Sequence, residues 1–189
     1  RRCYGFFHPR LPNEPLIFVE VALLDKISSS ITPLLDEAAA PVDITRATTA
    51  IFYSISNTQT GLRGVSFGDS LIKHVVETLT AEFPRLRTFA TLSPIPGFRA
   101  WLGKHAGAML DRLDDKRRSE LGRAVGFEPP QATHFLGALD KALELDAKSP
   151  VRQMLLECAA YYLGRELQEG KPADPVARFH LGNGARVER

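Results

Sequence analysis

The chain has 189 residues, with 24 Lys and Arg against 22 Asp and Glu, for a net charge of +2. Hydrophobic residues make up 44% and charged residues 24%, which supports a packed core and excludes an intrinsically disordered chain. The basic residues are scattered, apart from pairs such as Arg1-Arg2 and Arg117-Arg118, so there is no electrostatic footprint for nucleic acid. The longest apolar run, Leu16 to Leu24, is broken by Glu20. It falls far below the roughly 20 residues that a bilayer-crossing helix needs, so no membrane association is expected. No secretory apolar region opens the chain. Cys3 and Cys158 make neither a disulfide framework nor a zinc site, and both are expected to be reduced thiols in a cytoplasmic protein. The chain starts Arg-Arg without Met and stops at Arg189 just after a glycine-rich turn; a fragment is expected.

The first half reads as strands with intervening turns and helices, the second as helices, which predicts an α+β architecture. Cys3 to His8 is short and aromatic. Pro9 to Pro15, with three prolines and an Asn, predicts a turn or hairpin loop. Leu16 to Leu24 predicts a buried strand, and Ser28 to Glu37 a short helix entered through a serine cap. Thr48 to Ser56 predicts a second strand, and Thr58 to Gly68 a loop with three glycines. Leu71 to Glu82 predicts an amphipathic helix with Leu71, Ile72, Val75, Val76 and Leu79 on one face. Leu86 to Leu92 predicts a third strand running into Ser93-Pro94-Ile95-Pro96-Gly97.

Beyond Gly97, one helical stripe collects Phe98, Trp101, Leu102, His105, Met109, Leu110 and Leu113, and another Phe135, Leu136, Leu139 and Leu143. Ser149-Pro150 predicts a capped helix start leading into Val151, Met154, Leu155, Cys158 and Tyr162. Glu169 to Pro175 reads as a loop. Gly182-Asn183-Gly184 reads as a tight turn leading toward a further strand.

Three places can carry chemistry. The loop Gly61-Leu62-Arg63-Gly64-Val65-Ser66-Phe67-Gly68 lies between a strand and a helix. Its glycines admit close backbone approach, and the helix start beyond it, with Asp69 or Ser70 as cap, offers free N–H groups to an anion. It has neither the Gly-Lys-Ser/Thr of a nucleotide-binding loop nor the dinucleotide glycine spacing, and an unliganded glycine turn accounts for it equally well. Ser93 ends a strand, held extended by Pro94; a structural Ser-Pro turn is the alternative. His180 is read at a strand end or loop, where an imidazole can act as acid, base or donor. His8, His74, His105 and His134 carry weaker signals, and no spacing with Cys or acids predicts a metal.

The segments RRCYGFFHP, TTAIFYSISNTQTGLRGVSFGDSLIKHVV, EFPRLRTFATLSPIPGF and DPVARFHLGNGA together resemble the catalytic domain of the malonyl-CoA decarboxylase family, in order and over most of the chain. The resemblance implies a fold like the GCN5-related N-acetyltransferases: a mixed sheet with splayed central strands and flanking helices. The two splayed strands, Thr48–Ser56 and Leu86–Leu92, would take the thioester arm of coenzyme A between them. It implies one catalytic domain over 1–189, with a helical insertion at about 99–168. By the same resemblance, Ser93 and His180 are the catalytic serine and histidine, and Gly61 to Gly68 hold the pyrophosphate. On chemical grounds Asn183 orients the histidine segment or supplies a donor, or acts only as the turn residue between two glycines. The loop departs from the RxxGxG spacing of acetyltransferases, and Ser66 stands where animal members carry an acid. The implied reaction is decarboxylation of malonyl-CoA to acetyl-CoA and CO2, with no metal or organic cofactor, in a homo-oligomer. The rivals are an acyl-CoA-dependent N-acyltransferase and a non-catalytic acyl-CoA-binding module.

Overall fold

The computed structural model describes residues 1–36, 38, 43–62, 67–142 and 144–188. They form two compact units, Arg1–Ser93 and Pro94–Arg189, both mixed in α and β.

The first unit is a four-stranded sheet in the order β1-β2-β3-β4, with β1 at Arg2–His8, β2 at Leu11–Leu24, β3 at Thr49–Asn57 and β4 at Thr88–Thr91. β1/β2 and β2/β3 are antiparallel and β3/β4 parallel. A parallel pair needs a crossover, here α2, Phe67–Glu82. Leu71, Val75 and Leu79 recur along one face of α2 and are buried with Ile17, Val19, Val21, Leu23, Ala50 and Phe52 of the sheet. On the opposite face Ala22 and Ile51 pack with Leu34, which lies in α1, Thr32–Leu35.

Several boundaries depart from expectation. The proline-rich loop contracts to Pro9-Arg10, because His8 already pairs with Leu11 and Phe7 with Pro15. The ladder shifts register on both sides of Phe7, and such irregularities let a strand carry prolines, which have no N–H to donate. The helix expected at 28–37 is only four residues long. Ser28 and Ser30 hydroxyls bond nearby backbone instead, with Ser28 Oγ donating to Ser30 O at 2.7 Å and Thr32 N donating to Ser30 Oγ at 3.2 Å, the competition that keeps serines out of helix interiors. Glu37 lies outside the described residues. β4 is shorter than its apolar run: Arg87 N and Thr88 N both donate to Thr48 O, at 2.8 and 3.1 Å.

The second unit contains α3 (Phe98–Asp111), α4 (Asp115–Val125), α5 (Ala132–Asp140), α6 (Pro150–Arg165) and α7 (Pro175–Gly182). Its core joins Phe98, Trp101, Leu102, Ala106 and Leu110 of α3 to Leu121, Phe135, Val151, Met154, Leu155, Cys158 and Tyr162. Leu113 falls beyond the end of α3, and Leu143 lies outside the described residues. α4 was not anticipated from apolar periodicity, since only Leu121 and Gly122 of it are buried. Asp114 caps it, accepting from Arg117 N at 2.8 Å, and Gly126 closes it at φ 76°.

The loop expected at 169–175 is a short hairpin of β5 (Leu167–Gln168) and β6 (Lys171–Pro172). Glu169 and Gly170 turn it with φ of 54° and 73°, the paired positive values of a two-residue hairpin turn. Residues 185–188, where a strand was expected, have no regular structure.

Leu79 is fully buried at the centre of the first core. Leu79→Ala is expected to lower unfolding free energy by about 2–5 kcal/mol, read from urea titration of that unit's signal. Leu156, 55% exposed, should change it by no more than about 0.5 kcal/mol on truncation to Ala.

Candidate active site

In the first unit, β3 pairs with β4 over Thr49–Phe52 only, in register with Thr88–Thr91. The last rung is Leu92 N donating to Phe52 O at 3.0 Å. β3 then continues to Asn57 with no strand beside it on the β4 side among the described residues. Its residues pass from buried at Thr49–Phe52 to half-buried at Tyr53–Ser56. Ser93 is the next residue after that last rung and is half-buried. Pro94 behind it disfavours helix at Ser93.

The glycine loop is shorter than expected. Thr60–Leu62 form a single 3₁₀ turn, and α2 already starts at Phe67. Phe67 packs against the core and Gly68 is buried, so both belong to the first helical turn. Asp69 and Ser70 are inside that turn rather than capping it. Asp69 pairs with Lys73 at 2.6 Å, which offsets its negative charge at the helix start. Gly61 is open on its side-chain side. Arg63, Gly64, Val65 and Ser66 lie outside the described residues.

In the second unit, the turn that follows Ser93 in the chain leads into α3 with Gly97 as its N-cap. A Cβ at Gly97 would overlap the hydroxyl of Tyr162, with the ring carbon behind it at 3.2 Å. Glycine is required here for close approach rather than for an unusual φ, which is −84°. Tyr162 and Phe98 lie with ring centroids 6.0 Å apart, and Tyr162 and Trp101 5.5 Å apart. The Trp101 indole donates to Glu166 at 2.8 Å.

Asp174, only 1% exposed, receives this junction. One carboxylate oxygen, Oδ1, caps α7 by accepting from Val176 N and Ala177 N, each at 3.0 Å. The other, Oδ2, accepts from Gly97 N at 3.4 Å and from the Tyr162 hydroxyl at 3.5 Å. Burial first, and then the Asp174 charge, push the Tyr162 phenol above its ordinary value of 10.0, so it stays a donor near neutrality.

His180 lies on α7 and not at a strand end. Asp174 followed by Pro175, a cap with proline in the first turn, is the sequence signal for that helix. The imidazole is half-buried and meets Phe179 edge-on, with ring centroids 5.0 Å apart. Burial lowers its pKa from 6.5, which favours the neutral ring. Asn183 is the exposed C-cap, its N–H donating to His180 O at 3.1 Å, and Gly184 turns away at φ 85°. Cys3 and Cys158 are both free thiols, and burial raises the Cys158 pKa to about 11. Among the described residues no three His, Cys, Asp or Glu side chains cluster as a metal-binding group.

Ser93 thus closes the first unit, while His180 and Asn183 belong to the second. Sequence reasoning overlooked Gly97, Tyr162 and Asp174 as a connected group.

The family model described as "Malonyl-CoA decarboxylase C-terminal domain" matches residues 1–189. The chain belongs to the malonyl-CoA decarboxylase family. Mitochondrial malonyl-CoA decarboxylase of Anser anser anser is 39% identical over 201 residues, covering 100% of this chain and 39% of that protein. The Mus musculus protein is 38% identical over 199 residues, covering 100% and 40%. Among solved structures, the malonyl-CoA decarboxylase of Cupriavidus metallidurans is 51% identical with a TM-score of 0.77, covering 100% of this chain and 46% of that one. The Rhodopseudomonas palustris enzyme is 47% identical with a TM-score of 0.72, covering 100% and 41%. The chain therefore spans about two fifths of the length of its curated family relatives. These likenesses agree with the α+β class, and no described helix is long and apolar enough to cross a membrane.

Two outcomes follow from the geometry. Gly97→Ala should lower the melting temperature by about 4 °C or more, and adding Tyr162→Phe, which removes the overlapping hydroxyl, should restore most of the loss in the double variant. In an NMR titration, the His180 ring should change protonation below pH 6.5. Its folded pKa lies under the unfolded one, so the neutral ring's contribution to stability is present above pH 6.5 and is lost as pH falls through the folded midpoint.

Proposed function

We propose that this chain carries the catalytic centre for decarboxylation of malonyl-CoA to acetyl-CoA and CO2, with Ser93 and His180 as its catalytic residues. What carries the reading is the family match over residues 1–189, in a chain that contains both Ser93 within LSPIPGF and His180 within FHLGNGA. In this reading residues 1–189 work as one catalytic domain with a helical insertion at about 99–168, in a fold resembling the GCN5-related N-acetyltransferases. The pantetheine arm lies beside β3 where its pairing with β4 stops. The loop from Gly61 to Gly68 and the first turn of α2 receive the pyrophosphate through backbone N–H groups. The protein works in the cytoplasm.

The substrate supplies its own electron sink. When the bond between the carboxylate carbon and Cα breaks, its electron pair moves into the thioester carbonyl, CO2 leaves, and the resulting enolate must take one proton on Cα. No metal or organic cofactor is needed for that sequence. The protein's tasks are to hold the breaking bond in line with the carbonyl π system, to stabilise the enolate oxygen and to deliver the proton. An alcohol is acidic enough to protonate the enolate carbon of a thioester, so the Ser93 hydroxyl serves as donor. The His180 imidazole, whose neutral form burial favours, relays a proton from water back to the serine oxygen.

The test is the natural full-length protein incubated with malonyl-CoA and EDTA, with CO2 and acetyl-CoA measured together. Equimolar release is expected, and Ser93→Ala should lower kcat by about 10²–10⁴-fold while acetyl-CoA still binds. Intact malonyl-CoA, or acyl transfer to an amine without CO2, would overturn the reading.

A further inference from the structure

We propose that Asp174 is a positioning residue for this reaction, a role that rests on the decarboxylase reading. It locks the helix that carries His180 to the turn that follows Ser93 in the chain. A carboxylate 1% exposed is costly to bury unless donors replace the water it loses. Here there are four: Val176 N, Ala177 N, Gly97 N and the Tyr162 hydroxyl.

The division of labour between the two oxygens is what points beyond simple capping. Oδ1 alone would cap α7, and a serine or asparagine could do as much. Oδ2 faces the start of α3 and the end of α6 instead. The positive ends of two helices, α3 and α7, therefore converge on one negative charge, which fixes the direction of α7 as well as its beginning. His180 follows Asp174 by six residues on that helix, and Gly97 follows Ser93 by four in the chain. Tyr162 completes the junction: its hydroxyl occupies the space that a side chain at position 97 would need. The consequence for the chemistry is geometric. Proton transfer depends steeply on placement, and a shift on the order of 1 Å can cost about a hundredfold in rate.

Asp174→Asn separates the two functions. Asparagine keeps an oxygen for the α7 cap but presents an NH₂ to Gly97 N–H, which cannot accept. In the natural full-length protein, this variant should lower kcat for malonyl-CoA by about tenfold or more, with KM within about threefold and a melting temperature within about 4 °C of wild type. A purely structural role would instead lower stability and leave the kcat of the folded fraction unchanged. Wild-type kcat in Asp174→Asn overturns the assignment. Should that variant fail to fold, Tyr162→Phe decides, because it leaves the cap and the Gly97 bond in place. A fall in kcat of about threefold or more at unchanged KM supports the assignment; a smaller change overturns it. A wild-type protein that releases no CO2 overturns the decarboxylase reading, and this role with it. An active wild type with an equally active variant overturns this role alone.

Discussion

Four rungs of parallel pairing, Thr49–Phe52 against Thr88–Thr91, are the constraint on which the first unit turns. Parallel neighbours cannot be joined by a tight turn, so the connection has to leave the sheet and return over one face. α2 makes that return because Leu71, Val75 and Leu79 give it one apolar face, and the sheet offers Ile17, Val19, Val21 and Phe52 to receive it. The same packing explains why β3 changes character halfway along. Its first four residues are walled in by strands on both sides and are buried, whereas the next four have, among the described residues, a strand on one side only and are half-buried. Among the described residues the β3/β4 ladder ends after these few rungs while β3 itself runs on to Asn57, and Ser93 follows the last rung directly.

In the second unit the organising element is polar. A helical core of large side chains would tolerate some sliding, because apolar contact has no direction. The carboxylate of Asp174 removes that freedom, since its donors come from α7, from the start of α3 and from α6. The two bonds to α7 are shorter than those to Gly97 and Tyr162, 3.0 Å against 3.4 and 3.5 Å. The cap is therefore the tighter half of the arrangement. Gly97 lets that geometry close, as any larger residue would displace the phenol that shares the carboxylate.

The strands were legible because long apolar and β-branched runs such as Leu16–Leu24 and Thr48–Ser56 leave few alternatives. α2 and α3 were legible through their stripes. What escaped did so for physical reasons. α4 buries little, so apolar periodicity is silent about it, and only the cap at Asp114 and the stop at Gly126 mark its ends. α7 is hard to read because Gly182-Asn183-Gly184 signals a turn just after His180, whereas the helix is signalled only by Asp174-Pro175 at its start. The Gly97–Tyr162–Asp174 junction joins residues 65 and 12 positions apart in sequence, and local pattern holds no trace of such a contact. Ser93 and His180 are candidates from their places beside Pro94 and before a glycine-rich turn, but only motif resemblance gives them catalytic roles; neither periodicity nor spacing distinguishes them from an ordinary turn serine and a helical histidine.

Malonyl-CoA decarboxylation asks for little reactivity from protein groups and much from their placement. The thioester accepts the electrons, so neither a strong base nor a strong acid is required, and a neutral imidazole suits the task better than a charged one. In the proposed mechanism an imidazolium at position 180 would attract the malonyl carboxylate and so stabilise the group that must leave as uncharged CO2. Burial of His180 favours the neutral ring, which in the proposed mechanism would work against that ground-state attraction while keeping an N–H donor and a lone pair for proton relay. With modest groups, rate then depends on how firmly they are held. In the proposed mechanism a buried carboxylate shared between helix starts would act there, adding nothing to the bond-breaking step yet limiting the slack of the helix that carries the imidazole.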